Sequence, residues 1–178
     1  MKKLIASALT LVMALTLLAG CGAKAPAETT APQATMPQVD MTAMIENIYA
    51  QHAEIDLPLM SNPLDLTDVD MLTYNTGLTS ADKLSEVVVS EAMMGQPYSL
   101  VLVKVKDPAD AASVAQEIFD NIDQRKWICV EADTKTVGYA QDVVMLFMVG
   151  SDFGDSATTE TMMDAFKAAV GVPVTEIG

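Results

Sequence analysis

Apolar residues recur along the C-terminal part of the chain with a spacing of two, which is typical of strands. Leu84–Met93 and Tyr98–Lys106 are rich in Val and Leu, and the turn residues Gly95, Gln96 and Pro97 separate them. This pattern predicts an antiparallel hairpin. Further apolar runs predict three more strands, at Trp127–Ala132, Val137–Ala140 and Val143–Val149.

Other segments show the spacing of an amphipathic helix. Asp40 can cap a helix whose apolar stripe contains Met41, Met44, Ile45 and Ile48. This first predicted helix runs from Met41 to about His52. A second is capped by Asp107, has Pro108 at its first position and reaches about Lys126. A last one is capped by Asp155 or Ser156 and ends at Gly171 and Pro173. Leu64–Tyr74 fits either a short helix or an irregular segment.

This order of elements predicts one α+β domain, with a mainly antiparallel sheet of about four to five strands packed against two or three helices. Both faces of the sheet are apolar, because Val101, Val103 and Val105 alternate with Tyr98, Leu100 and Leu102. Either the segment Met41–Tyr74 covers the face that carries Tyr98, or a partner or ligand does. The second alternative makes Tyr98, Leu100, Trp127 and Cys129 the candidate binding face.

The N-terminus carries the pattern of a secretion signal. Lys2 and Lys3 precede an uncharged apolar run of 15 residues, Leu4–Leu18, which is short for a membrane-spanning helix. The run ends in Leu18-Ala19-Gly20-Cys21, which resembles the lipobox of bacterial lipoproteins. We therefore expect Leu18, Ala19 and Gly20 to guide the signal peptidase and Cys21 to carry lipid. The alternative is ordinary secretion with cleavage after Ala23-Lys24-Ala25.

These signals divide the chain into five parts. We predict a signal peptide at 1–20, a lipidated N-terminus with an Ala/Thr/Pro-rich flexible tether at 21–40 and a helical segment at 41–73. The α+β domain follows at 74–171, with a C-terminal tail at 172–178. Lipid on Cys21 would make the membrane a partner and place the domain outside the cytoplasm. This assignment leaves Cys129 without an intramolecular disulfide partner.

Charge narrows the class of function. The chain has 10 Lys and Arg against 24 Asp and Glu, a net charge of −14. Removal of residues 1–20 leaves 8 against 24, so the mature protein would carry −16. A nucleic-acid binder needs a basic surface, which this composition does not supply. An acidic domain is also repelled by an anionic membrane and would stand off from it.

The residues suggest no catalytic set, metal site or cofactor. His52 is the only histidine and is interpreted as a helix-terminal residue rather than a catalytic base. Cys129 is interpreted as a buried strand residue. The chain has 13 methionines, a residue type whose soft thioether can bind Cu(I), although core packing is the simpler role. The carboxylates of Glu86, Glu91 and Glu131 would support an enzyme only if they converged in a cleft.

The stretch from Tyr74 to Gly171 resembles an uncharacterised family of small lipoproteins from Gram-positive anaerobes of the clostridial type. The resemblance is carried by Leu84–Val89, Val101–Val105, Asp107–Ala111, Asp123–Trp127 and Val143–Gly150. It implies a lipoprotein of unknown activity and brings no catalytic residues. We therefore expect a binding or accessory module at the cell envelope, with an envelope protein as its partner. The alternative is a small ligand- or cation-binding lipoprotein that serves a transporter.

Overall fold

The computed structural model describes residues 36, 40–51, 59–93 and 95–178. Within this part of the chain, six strands pair antiparallel in one open sheet, in the order β1-β2-β3-β5-β4-β6. The strands are β1 (Leu59–Pro63), β2 (Leu84–Ala92), β3 (Tyr98–Val105), β4 (Thr134–Ala140), β5 (Val143–Val149) and β6 (Thr175–Ile177). The predicted hairpin and the two predicted strands around Gln141 and Asp142 are confirmed.

Four α-helices accompany the sheet in the described residues: α1 (Met41–Tyr49), α2 (Val69–Thr76), α3 (Ala111–Asn121) and α4 (Thr159–Val170). Asp40 caps α1 as predicted, since its side chain accepts a hydrogen bond of 2.8 Å from the backbone N–H of Ala43. Short 3-10 helices at Pro108–Asp110 and Ser151–Ser156 precede α3 and α4. The α+β class predicted from the sequence is confirmed.

Helices cover both faces of the sheet, which explains why both faces are apolar. Tyr98, Leu100 and Leu102 point to one side, here called the tyrosine face, and pack under α1 and α4. Val101 and Val103 point to the other side, the valine face, and pack under α2 and α3. The helix that begins at Met41 therefore covers the tyrosine face, as the sequence suggested, whereas α2 lies on the opposite side of the sheet.

The predicted strand at Trp127–Ala132 is wrong, because this stretch is a loop. Its backbone closes on itself: Ala132 N–H donates to the carbonyl of Gln124 at 2.9 Å, and the Gln124 side chain donates to the carbonyl of Ala132 at 2.9 Å. It also cannot pair with β4, the next strand in the chain, since β5 and β6 occupy the two edges of β4. Alternating apolar residues therefore imitate a strand here without a strand partner.

Several boundaries differ from the sequence predictions. The helix expected to reach Lys126 ends at Asn121, and the helix expected to begin at Asp155 or Ser156 is capped by Thr158. Thr158 and Thr161 form a reciprocal capping box, which satisfies free N–H groups at the helix start. The strands β1 and β6 were not predicted, and β6 lies in the segment expected to be a tail. His52 lies outside the described residues.

Candidate functional site

A buried lysine lies at the end of the valine face, where the loop after α3 meets α2 and the β2–β3 pair. Ser99 on β3 is the cross-strand neighbour of Glu91 on β2, so both side chains point to the valine face. Lys126 extends over them from the loop, and its side chain is only 1% exposed. Its Nζ forms an ion pair with Oε1 of Glu91 and donates to Oγ of Ser99 at 3.1 Å.

Helix α2 supplies the remaining polar contact and one of two aromatic contacts. Lys126 Nζ donates to Oδ1 of Asn75 at 3.3 Å, and it lies 4.9 Å from the ring centroid of Tyr74. The ring of Trp127, next in the chain, has its centroid 5.1 Å from the same nitrogen. A buried ammonium group is tolerated only when it is paired and hydrogen-bonded, and the two ring faces add cation–π attraction.

The pKa values of this cluster are shifted by burial and by charge. Burial lowers the pKa of Lys126, and the charge of Glu91 and its hydrogen bond partly oppose that effect. Burial also raises the pKa of Tyr74, and the negative charge of Glu91 adds to the rise. The ion pair is thus held in a partly dehydrated environment, with Glu91 keeping 28% of its side chain exposed.

Two clefts open on either side of this ion pair. The methionine cleft, of about 280 Å³, is lined by Met60, Met71 and Met93 together with the polar residues Asn62, Asn75 and Glu91. The tryptophan cleft, of about 330 Å³, is lined by Tyr74, Gly95, Lys126, Trp127, Ile128 and Cys129. Glu91 faces the first cleft and its partner Lys126 faces the second, so the buried pair forms a shared wall.

Seven large apolar side chains of the described residues are exposed, and five of them line the two clefts. The seven are Met60, Val69, Met71, Tyr74, Met93, Ile128 and Val130. They come from β1, α2, the end of β2 and the loop after α3, which are the elements that form the two clefts. Ile128 is fully exposed. A concentration of exposed apolar side chains in one region of a small domain is typical of an interaction site.

The structure separates the residues that the sequence grouped as a binding face. Tyr98 and Leu100 are fully buried under α1 and α4, whereas Trp127 packs in the layer on the valine face. The predicted face of Tyr98, Leu100, Trp127 and Cys129 therefore does not exist as one surface. Trp127 and Cys129 do share the tryptophan cleft. Cys129 is exposed, contrary to the buried position expected for it, because its segment is a loop and not a strand.

The residues of the predicted lipobox, Leu18, Ala19, Gly20 and Cys21, lie outside the described part of the chain. The three carboxylates considered for an enzyme do not converge. Glu86 and Glu91 are five residues apart on β2 and point to opposite faces, and Glu131 pairs with Arg125 at 3.2 Å. Among residues 36, 40–51, 59–93 and 95–178, no group of three His, Cys, Asp or Glu side chains could hold a metal ion.

No helix in the described ranges is long and apolar enough to cross a membrane. Comparisons of the chain with protein-family models, with curated proteins and with solved structures found no match. The resemblance to the clostridial lipoprotein family therefore stays a prediction, and functional statements about this chain depend on its own residues.

Sequence reasoning missed the cluster around Lys126, although one signal was present. Ser99 is a polar residue at a valine-face position of an otherwise apolar strand, and such a residue needs a polar partner when buried. Nothing near Ser99 in the sequence identifies that partner, because Lys126 lies 27 residues further on and Asn75 lies 51 residues before Lys126.

Proposed function

We propose that this protein is a lipid-anchored extracytoplasmic lipoprotein whose domain binds another protein of the cell envelope. One observation carries the binding role: five of the seven exposed large apolar side chains of the described residues line the two clefts instead of being scattered. The signal-like N-terminus with Cys21 supports the location.

The tryptophan cleft is the best candidate for the centre of the partner contact. Tyr74 and Trp127 offer large rigid aromatic surfaces, which dominate the binding energy of many protein interfaces. Ile128 projects beside them without any cover of its own. A partner side chain of matching size could enter the cleft while Ile128 inserts into the partner.

Charge defines the chemistry of the partner. Asp68 and Asp70 flank the exposed Val69 at the start of α2, and Glu131 follows the exposed Val130 in the loop. The whole chain carries −14, so a basic partner is favoured over an acidic one both in approach and at the rim of the contact. We infer a protein segment in which apolar residues are bordered by Lys or Arg.

The predicted anchor would restrict where such a partner is found. Met36 is buried in the core of the domain, so the predicted tether is counted here as 22–35. A random coil of these 14 residues would span roughly 20 Å, from about 5–6 Å times the square root of its length. The acidic domain would be repelled by anionic lipid headgroups. Its partner is therefore a protein, or part of one, that lies close to the outer surface of the membrane without requiring the domain to touch the bilayer.

Replacement of the lipidation residue tests the location. Cys21→Ala should abolish labelling by a radioactive fatty acid and leave an unprocessed precursor or release the protein from the membrane fraction. Cys129→Ala is the matched control and should change neither result. Equal fatty-acid labelling of the Cys21→Ala variant and the unchanged chain would contradict the lipoprotein assignment.

Site-specific cross-linking tests the binding surface. A photoreactive amino acid at Ile128 should capture one protein on intact cells, and the cross-linked peptide should contain apolar residues next to Lys or Arg. The same group at Glu160, an exposed position of α4 on the other side of the sheet, is the control and should not capture that protein. Capture of the same proteins from both positions, of none, or only of a second copy of this chain would refute the proposed partner site.

A further inference from the structure

We propose that the methionine cleft is a binding site for a soft monovalent metal ion, Cu(I) or Ag(I), held by the thioether sulfur atoms of Met60, Met71 and Met93. The proposal is independent of the partner site at Ile128, because it concerns the other side of the Lys126–Glu91 pair. It assigns a ligand class to the cleft that lies beside the proposed centre of the partner contact.

The topology brings these three residues together from separate parts of the chain. Met60 on β1 is the cross-strand neighbour of Glu91, so its side chain points to the valine face. Met93 comes directly after Ala92, the last residue of β2, and lines the same cleft as Glu91. Met71 lies on α2 one turn before Asn75, which also lines the cleft.

Exposure separates these methionines from the others. Ten methionines lie in the described ranges, and seven of them are 6% exposed or less. Met60, Met71 and Met93 are 51%, 44% and 47% exposed. The seven fill the core, which is the usual role of this residue, whereas the three exposed ones surround a single cleft.

The donor atoms of the cleft favour a soft ion over a hard one. Glu91 is already paired with Lys126, and the Asn75 amide donates to the carbonyl of Met71 at 2.8 Å and accepts from Lys126. Asn62 adds one further amide oxygen, but Ca²⁺ takes six to eight oxygen ligands, more than this cleft offers. Thioethers remain, and these soft ligands select Cu(I) among the first-row ions.

Charge and side-chain flexibility support the same conclusion. The chain carries −14, so cations are concentrated around it and anions are not. Methionine is unbranched and has three rotatable side-chain bonds, so three thioethers around a cleft of about 280 Å³ can adjust to one ion. Coordination requires no change of oxidation state, and the thioethers lose no proton on binding.

Silver ion is the probe of choice because it does not need a reductant. The full chain should be prepared in a non-ionic detergent with Cys21 and Cys129 replaced by Ser, because thiolates would compete for the same ion. Titration calorimetry should show one strong site per chain. Labelled methionine methyl groups should give NMR shifts for Met60, Met71 and Met93, while the buried Met163 stays unshifted.

Leucine variants provide the decisive comparison, since Leu keeps the apolar character and volume but lacks sulfur. Each of Met60→Leu, Met71→Leu and Met93→Leu should weaken Ag(I) binding at least by the 10- to 100-fold that loss of an outer-shell partner typically costs. The triple variant should lose the site, and Met163→Leu should not change the affinity. Far-UV circular dichroism should show that all variants remain folded.

Unchanged Ag(I) affinity in the triple leucine variant, or methyl shifts spread over methionines outside the cleft, would overturn the proposal. The three side chains would then be an apolar lining only. Capture of the partner through Ile128 should be unaffected in the triple variant, so a failed metal site and a failed partner site give different results.

Discussion

The Lys126–Glu91 pair gives the sharpest test of the structure. Lys126→Met keeps a long unbranched side chain but removes the ammonium group. The change leaves the Glu91 carboxylate without its cation and deprives Ser99 and Asn75 of a donor. Removal of one partner of a buried ion pair typically costs 3–5 kcal/mol, because the other charge remains buried and unpaired.

The exposure of Glu91 determines where in that range the loss of stability should fall. Its side chain is 28% exposed, so water can reach the carboxylate, and we expect a loss of about 3 kcal/mol for Lys126→Met. Glu91→Met leaves an ammonium that still has hydrogen-bond acceptors and two aromatic faces, so we expect about 2 kcal/mol. The double variant buries no unpaired charge and should lose about 2 kcal/mol or less, from the contacts of Ser99 and Asn75, which is a coupling energy of at least about 3 kcal/mol.

Urea unfolding of the full chain in a non-ionic detergent, followed by far-UV circular dichroism, measures these values. With a slope of about 2 kcal/mol per molar urea, Lys126→Met should lower the midpoint by about 1.5 M. Lys83→Met is the matched control, since Lys83 pairs with Asp110 at 3.0 Å but both side chains are well exposed, at 49% and 34%. It should cost less than about 1 kcal/mol. Equal losses for the two lysines, or strictly additive losses in the double variant, would refute the buried pair.

The Lys126→Met variant should also differ from the unchanged chain in how its stability depends on pH. Because burial lowers the pKa of Lys126, the folded chain releases this proton at a lower pH than the unfolded chain, whose value is the ordinary 10.5. Between those two values the unfolded state binds more protons, so this residue makes stability rise with pH. The raised pKa of Tyr74 acts in the opposite direction above its ordinary value of 10.0. The difference in stability between the unchanged chain and Lys126→Met should therefore grow as pH rises towards 10.

Two further changes test the packing of helix ends. Gly77 follows α2 with a φ of +77°, and a Cβ there would lie 2.6 Å from backbone atoms of Asn121 and Ile122. Gly77→Ala should therefore cost clearly more than the 1–2 kcal/mol of left-handed strain, whereas Gly95→Ala, with φ +68° and open space, should cost about that strain alone. Equal urea midpoints for the two variants would contradict the close approach. Thr158→Ala should cost about 1 kcal/mol because it removes the cap of α4, whereas Thr158→Ser keeps a hydroxyl and should cost much less. Equal thermal midpoints for the two variants would show that the hydroxyl does not cap the helix.

Much of the fold follows from local patterns in the sequence. The near-continuous apolar run of β3 and the continuous one of β5 predict strands buried on both faces, and both are confirmed. The apolar stripe of α1, with Asp40 as its cap, is confirmed in the same way. These features depend on a few neighbouring residues, so they can be recognised without knowledge of the rest of the chain.

Other parts of the fold depend on partners that are distant in sequence. The stretch Trp127–Ala132 has the composition of a strand, but β6 occupies the edge of β4 that was still free. The short β1, with Pro63 at its end, lacks a strand pattern of its own and forms because β2 offers an unpaired edge. Competition for a strand edge is decided over the whole sheet, and a local pattern cannot predict its result.

The candidate site shows the same limit more strongly. Each of its polar residues has an ordinary local interpretation: Asn75 as a helix-end residue, Glu91 as a strand-end charge and Lys126 as a loop cation. Their common role arises only where the loop after α3 crosses the ends of β2 and β3. A buried ion pair often contributes less net stability than apolar residues of the same volume. The role of the Lys126–Glu91 pair is therefore better explained by where it lies in the structure than by the stability that it adds.

That position connects the two clefts. Lys126 holds the loop that carries Ile128, while Glu91 and Asn75 contact it from the methionine cleft. An ion bound by Met71 and Met93 would act on the helix and strand that support this pair, and a partner at Ile128 would act on the loop. If metal and partner bind as proposed, any effect of one on the affinity of the other must be reciprocal and equal in size. The Lys126–Glu91 pair is the physical link through which such coupling would pass. The Lys126→Met variant keeps Ile128 and the three methionines and changes one side chain in the wall of the tryptophan cleft, and it should weaken the coupling.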